Sequence, residues 1–229
     1  VSGVPDAGAV SVVTGRGTVA AALASARTEW PARATLTWWH VPRPVLVLGS
    51  AQPSTVVDHD AAARAGVEVC RRASGGGAVL LSPGDTVWGD LVIPPDHPRW
   101  DDDVVRAAAW VGDAWVVALR SLVDPGAGSV VRHPGGLERT RWSDLVCFGG
   151  VGPGEVLVGG RKVVGISQRR TRRGVRFQLA VLRRWDPVGI LSLLALHPDD
   201  RARGEVELAA VATGIDRPVD ALQHAFLAA

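Results

Sequence analysis

Arg71-Arg72-Ala73-Ser74-Gly75-Gly76-Gly77-Ala78-Val79 sets three consecutive glycines between a basic, hydroxyl-bearing stretch and the start of an apolar run. Glycine loses more backbone entropy on folding than any other residue. A triplet therefore marks a turn with positive φ or a close approach of backbone to a ligand. Beside two arginines and a serine, the N–H groups of such a loop suit a carboxylate or a phosphate. The stretch is not a Walker loop, because Gly-Lys-Ser/Thr is missing, and it does not follow the Gly-x-Gly-x-x-Gly spacing. Taken alone, it reads equally well as a plain glycine hairpin.

A second stretch, Gly159-Gly160-Arg161-Lys162-Val163-Val164-Gly165, holds the one lysine of a chain with 25 Lys and Arg residues in total. The chain also has no Asn, Tyr or Met, which fits a genome that avoids A/T-rich codons. Surface lysines drift to arginine under that pressure, so the lysine that remains is one arginine cannot replace. An ammonium is a compact point charge, whereas guanidinium is a planar fork too bulky for a tight site. Gly160 and Gly165 clear side chains from around it. The arginines of Arg169-Arg170-Thr171-Arg172-Arg173-Gly174 then read as a hairpin tip, either simply solvated or meeting phosphates or an acidic partner.

Composition narrows the class. Apolar residues make up 47% and charged residues 21% of 229, as in a folded globular protein with a sizeable core. A net charge of +2 argues against nucleic acid as a partner. Cys70 and Cys147 form neither a disulfide framework nor a zinc knuckle, and no histidine has a partner at metal spacing. Cys70 reads as a small buried apolar residue, and Asp58-His59-Asp60 as a helix N-cap. No stretch reads as a signal peptide or as a membrane span, so a cytoplasmic protein without membrane contact is expected.

Periodicity predicts helices over 17–30, 58–65, 100–123, 188–196 and 218–227. It predicts strands over 34–40, 44–48, 67–72, 78–81, 86–93, 145–148, 156–158, 161–168 and 175–182. The expectation is an α+β fold with a mixed, largely antiparallel sheet flanked by helices. A single domain over 1–229 is expected, with a small C-terminal helical appendage from about 198 joined through 198–204.

The two stretches together resemble the lipoate and biotin protein ligase family, most closely its lipoate branch. Arg71 to Val79 matches that branch's Arg-Arg-x-Ser-Gly-Gly-Gly-Ala-Val motif, and Gly84-Asp85 stands where a Gly-Asn pair is usual. Gly160 to Gln168 is similar to its Gly-Arg-Lys-x-x-Gly-Ser motif, with Ile166-Ser167 as a variation. Val45 to Gln52 looks like the strand ending in Gly-Arg-x-Gln, with Ser50 in place of arginine. The resemblance runs from about Ala34 to Leu182 and implies the catalytic-domain fold that lipoate and biotin ligases share, without a large accessory domain.

The resemblance also implies site roles. Lys162 would contact the acyl carbonyl or the oxygen linking acyl group to phosphate. Arg71, Arg72, Ser74, Gly75, Gly76, Gly77, Ala78, Asp85, Gly165 and Ser167 would bind substrate. Lipoate or octanoate would be that substrate, with ATP and magnesium as cofactors. Glu155, in Gly154-Glu155 where the family has Asn-Asp, is the one candidate magnesium ligand. The acceptor would be a lipoyl carrier domain of a 2-oxoacid dehydrogenase or glycine cleavage protein. The leading expectation is an ATP-dependent lipoate–protein ligase working through an acyl-adenylate. One feature favours a second route: Cys147-Phe148 lies fifteen residues before Lys162, and octanoyltransferases of the superfamily carry a nucleophilic cysteine there. In that route Cys147 takes octanoyl from an acyl carrier protein. A non-catalytic binder of the acyl group or its adenylate is the third reading.

Overall fold

The computed structural model of the chain describes residues 8–229. Seven strands form the main sheet: β1 (Ser11–Gly15), β2 (Thr35–Trp39), β6 (Thr86–Ile93), β7 (Val130–Arg132), β8 (Val156–Val158), β9 (Arg161–Thr171) and β10 (Gly174–Leu182). Their spatial order is β1-β2-β6-β10-β9-β8-β7, antiparallel throughout except for the parallel β1–β2 pair. A second sheet places β3 (Val45–Leu48) between β4 (Glu68–Arg71) and β5 (Val79–Leu81). The helices are α1 (Val19–Thr28), α2 (His59–Arg64), α3 (Val104–Arg120), α4 (Pro187–Ser192), α5 (Pro198–Val211) and α6 (Val219–Leu227). The fold is therefore the expected mixed, largely antiparallel sheet with flanking helices. Among the described residues, no helix is long and apolar enough to cross a membrane.

Side-chain alternation in the central strands sorts residues into two layers, because successive strand residues face opposite sides. One face of β2, β6 and β10 carries Leu36, Trp38, Leu91, Phe177 and Leu179 into a core closed by α3 and α6. There the Trp115 and Phe226 rings pack 4.5 Å apart. The other face meets α1 and the small sheet through Leu23, Val45, Val47, Leu81 and Trp88. β3 is buried on both sides, since its alternate residues Leu46 and Leu48 enter a third cluster with Ile190, Leu194 and Leu208. Leu208 of α5 and Phe226 of α6 thus lie in the cores. The helices after 198 are built into the body of the fold instead of hanging from it as an appendage.

Three boundaries differ from the sequence reading for identifiable reasons. The long helix starts at Val104, because Asp103 is its N-cap and its carboxylate accepts the Val105 and Arg106 N–H groups. Residues 198–204 are the first turns of α5, with Pro198 in the first turn where a missing N–H costs nothing. Leu145–Phe148 is not a strand. Ala78 receives only an isolated bridge from this segment, which ends in a 3-10 turn over Cys147–Gly149. That bridge is a tight one. The Ala78 N–H donates to Leu145 O at 2.8 Å, and the Cys147 N–H donates to Ala78 O at 2.8 Å.

Gly77 is what allows this approach. A Cβ built there would stand 2.6 Å from the Val146 backbone, whereas one at Gly75 would meet nothing within 4 Å. Gly77→Ala should therefore lower Tm by roughly 2–10 °C, the range for overpacking a chain of this size. Gly75→Ala should leave it nearly unchanged. Thermal unfolding of the two variants checks this, and equal melting points would show that the Gly77 contact is easily relieved.

Candidate functional site

Two cavities meet on the inner face of the main sheet. The first is largely apolar and is lined by Leu23, Val47, Val79, Leu81, Trp88 and Ala180, with Arg72, Ser167 and Gln178 on one side. The second is polar and opens beside the glycine loop, with Gly75 to Gly77, Gly150, Glu155, Lys162 and Gln168 on its walls. Cys147 and Ser167 line both. Strand register explains the layout. Gly165, Ala180 and Trp88 form one cross-strand row, and Ser167, Gln178 and Asp90 form the next. Small residues in the first row leave room above the sheet, and polar ones in the second bound it.

Lys162 is 2% exposed, and each of its three N–H donors has an acceptor. Its Nζ lies 2.9 Å from Cys147 O, 3.0 Å from Gly150 O and 2.6 Å from Glu155 Oε2. It also sits 4.9 Å from the Phe148 ring centroid. Glu155 is equally engaged: Oε2 accepts from the Gly152 N–H at 2.7 Å, and Oε1 from the Ile166 N–H at 3.0 Å. A buried ion pair survives desolvation only with such supporting bonds, and removing one partner typically costs about 3–5 kcal/mol. Gly165 accommodates the cluster, since a Cβ there would stand 3.3 Å from Phe148 and 3.7 Å from the lysine stem.

The carboxylate of Glu155 is therefore occupied by the lysine and two backbone donors and does not fit the role of a magnesium ligand. Among the described residues, no three His, Cys, Asp or Glu side chains converge where a metal ion would be held. The two arginines of the first motif bond to backbone carbonyls. Arg72 donates to Gly75 O at 2.6 Å and Gly77 O at 2.9 Å, and Arg71 to Gly49 O at 2.8 Å and to the Ser50 and Gln52 carbonyls. They staple the loops that shape the site. Gln52 completes the clamp: its Oε1 accepts from the Gly49 N–H, and its Nε2 donates to Asp144 O and Leu145 O. Ala78 contributes through its backbone, by holding Cys147.

Asp85 lies apart from the site. It occupies the β5–β6 turn, where its carbonyl accepts from Arg183 and Arg184 N–H and its carboxylate is 3.7 Å from Arg184. It lines neither cavity. Of the four arginines expected at a hairpin tip, Arg169 and Arg170 lie within β9. Arg169 donates to the Ala26 and Arg27 carbonyls and Arg176 to Glu29 O, around the C-terminal end of α1. Arg170 donates to Asp101 O. Arg172 and Arg173 alone form the exposed tip.

Ser74 and Ser167 are joined, Oγ to Oγ, at 2.9 Å, and Ser74 donates to Gln178 Oε1 at 3.1 Å. Gln178 stands opposite Asp90 in the sheet, and Asp90 is paired with Arg176 at 3.2 Å and receives the Trp39 indole N–H at 3.3 Å. Burial pushes the Asp90 carboxyl above the usual carboxylate range, with Arg176 pulling the other way. Gln178 and Asp90 are absent from the sequence-derived candidates. Their signal was available: each is a polar residue inside an otherwise apolar strand.

The lipoyl protein ligase A/B catalytic domain family model matches residues 18–224. Octanoyltransferase LipM of Kyrpidia tusciae is 29% identical over 185 residues, covering 79% of this chain and 65% of that protein, so the chain matches somewhat less than two thirds of that relative's length. Among solved structures, the archaeal lipoylation system of Thermoplasma acidophilum, with a bipartite lipoate protein ligase, superposes with a TM-score of 0.72 at 18% identity. That match covers 95% of this chain and 80% of the other. A lipoate-protein ligase A bound with ATP gives 0.69 at 18% identity, covering 96% and 83%. At these identities the structures share the fold.

The two cysteines differ in environment. Burial, then the neighbouring Glu68 carboxylate, pushes the Cys70 thiol up to about 12. At pH 8, well below that value, Cys70 stays a thiol and is a poor nucleophile. Iodoacetamide at pH 8 should therefore label Cys147, on the wall of the open cavity, well before Cys70. Peptide mapping by mass spectrometry reads the order, and preferential labelling of Cys70 would contradict it.

Proposed function

We propose that this chain, which belongs to the lipoyl protein ligase A/B catalytic domain family, transfers a medium-length acyl group, octanoyl or lipoyl, to a lysine of a lipoyl carrier domain through a thioester on Cys147. The observation that carries this reading is the place of Cys147. It lines the apolar cavity and the polar one alike, and its backbone carbonyl accepts from the Lys162 ammonium. An acyl chain laid against Leu23, Val79 and Trp88 would bring its carbonyl to that junction. Burying six methylenes at about 0.8 kcal/mol each contributes on the order of 5 kcal/mol to binding.

In the first step the Cys147 thiolate attacks the thioester carbonyl of an acyl carrier protein. The C–S bond to the carrier breaks, and the carrier leaves as a thiol after taking a proton. In the second, the neutral amine of the acceptor lysine attacks the Cys147 thioester. An amide forms, Cys147 leaves as thiolate, and the amine proton passes to water. Each attack builds an oxyanion, and the Lys162 ammonium is the point charge at hand to stabilise it. A lipoyl domain as acceptor is supported by the fold relative from a system that pairs a ligase with an E2 lipoyl domain. A catalytic free thiol suits the reducing cytoplasm.

The ATP-dependent ligase route uses the same acyl cavity. It asks in addition for cations on a triphosphate and ligands for magnesium. Arg169, Arg170 and Arg176 are bonded to backbone carbonyls and Glu155 to Lys162, which weighs for direct transfer.

The deciding assay incubates the protein with octanoyl acyl carrier protein and no ATP, then adds a lipoyl domain. A hydroxylamine-labile octanoyl adduct on Cys147 is expected, and Cys147→Ser should abolish both adduct and transfer. Lys162→Arg should slow transfer by ~100-fold or more, the scale of losing one oxyanion donor. Transfer that survives Cys147→Ser and requires ATP with free acid would establish the ligase route instead. Acyl binding without either activity would establish a non-catalytic binder.

A further inference from the structure

We infer that Glu155 is a positioning residue that keeps the Lys162 ammonium on the Cys147 turn throughout the reaction. The inference deepens the transfer reading and rests on it for its kinetic arm. All three Lys162 N–H groups already have acceptors, two of them neutral carbonyls and one a carboxylate. To stabilise an oxyanion, the ammonium must therefore release one acceptor. Charge-assisted bonds are roughly twice as strong as those to neutral groups, so a carbonyl contact gives way first. The Gly150 and Cys147 carbonyls are interchangeable with an oxyanion at the same junction. Glu155 is not, because its two oxygens are fixed by the Gly152 and Ile166 N–H groups and it is 5% exposed.

Glu155 is itself anchored at both ends of the site. Its backbone carbonyl accepts from the His133 N–H at 2.8 Å, which ties it to the end of β7. Its carboxylate bridges the loop before β8 to Ile166 on β9. The carboxylate therefore occupies one defined position, and the ammonium pivots about it. Without Glu155 the buried charge would lose its only ionic partner and would turn toward the open polar cavity.

Because Lys162 is the only lysine, 15N labelling of lysine side chains gives a single Nζ probe in the whole chain. In wild type that NH3+ signal should be observable and slow to exchange, as for a buried ammonium with three acceptors. In Glu155→Gln it should broaden or vanish, kcat for octanoyl transfer to a lipoyl domain should fall by ~100-fold, and KM should stay within about threefold. Glu155→Asp, which keeps the charge, should retain the fold and the signal and recover about a tenth of wild-type kcat. An unshifted signal with normal kcat in Glu155→Gln would overturn the inference. So would a loss in both variants that tracks Tm and KM together, since that is a structural role only. Should Glu155→Gln fail to fold, Glu155→Asp that loses the Nζ signal yet keeps wild-type kcat would also overturn it. If wild type forms no Cys147 thioester, the transfer reading fails, while the Nζ signal still decides whether Glu155 holds the lysine.

Discussion

A buried ammonium needs an acceptor for every N–H, and the site is organised around that requirement. Lys162 finds its three acceptors on two pieces of chain: the Cys147 and Gly150 carbonyls of one turn and the Glu155 carboxylate. Meeting it forces the 147–150 turn against the start of β9 and draws the segment before β8 onto the same point. The second constraint acts from the other side. Ala78 makes two backbone bonds, one to Leu145 O and one from the Cys147 N–H, and Gly77 lets the chains come that close. Cys147 is therefore fixed through its N–H by the glycine motif and through its C=O by the lysine motif. The two stretches that stand out in the sequence are the two jaws holding one residue.

Arginine supplies most of the remaining rigidity. Loops that shape a cavity leave carbonyls without partners, and a guanidinium can satisfy several at once because its donors fan out in a plane. Arg71 and Arg72 do this for the loops at 49–52 and 75–77, and Arg169 and Arg176 for the end of α1. Trp30 lies against two of these guanidinium groups, Arg169 and Arg176 at 5.6 and 5.5 Å from its ring centroid, and against Arg173 at 6.0 Å. A motif arginine here is thus a scaffold for backbone geometry. That accounts for an arginine-rich site with few cations left to meet a ligand.

The sheet was legible because its central strands alternate or run apolar over five to nine residues, and the glycine and lysine stretches pointed to the right part of it. What stayed hidden depends on long-range partners. Leu145–Phe148 has strand composition, but Ala78 offers it one bridge and no ladder, so it ends as a turn. β1 and β7 were missed because their residues are ordinary and gain strand character only by pairing with β2 and β8. Asp85 matched a motif by position, yet Arg183 and Arg184 after β10 fold onto its turn, and Arg184 stands beside its carboxylate. Glu155 was read as a metal ligand from its neighbours in sequence, while its partner in space is seven residues away across a strand turn.

The row Ser167, Gln178 and Asp90 shows how the fold separates two chemistries on one sheet face. One row away, Gly165, Ala180 and Trp88 form an apolar floor, and two residues along each strand the same surface becomes a hydrogen-bonded relay. Ser74 donates to Gln178, so its Oγ is left to accept from Ser167. Arg72 stands on the same side of the cavity, with its guanidinium turned to Gly75 O and Gly77 O. The two-residue period of the strands thus sets an apolar floor beside a polar wall, and the two cavities they bound meet at the turn that Lys162 and Ala78 hold between them.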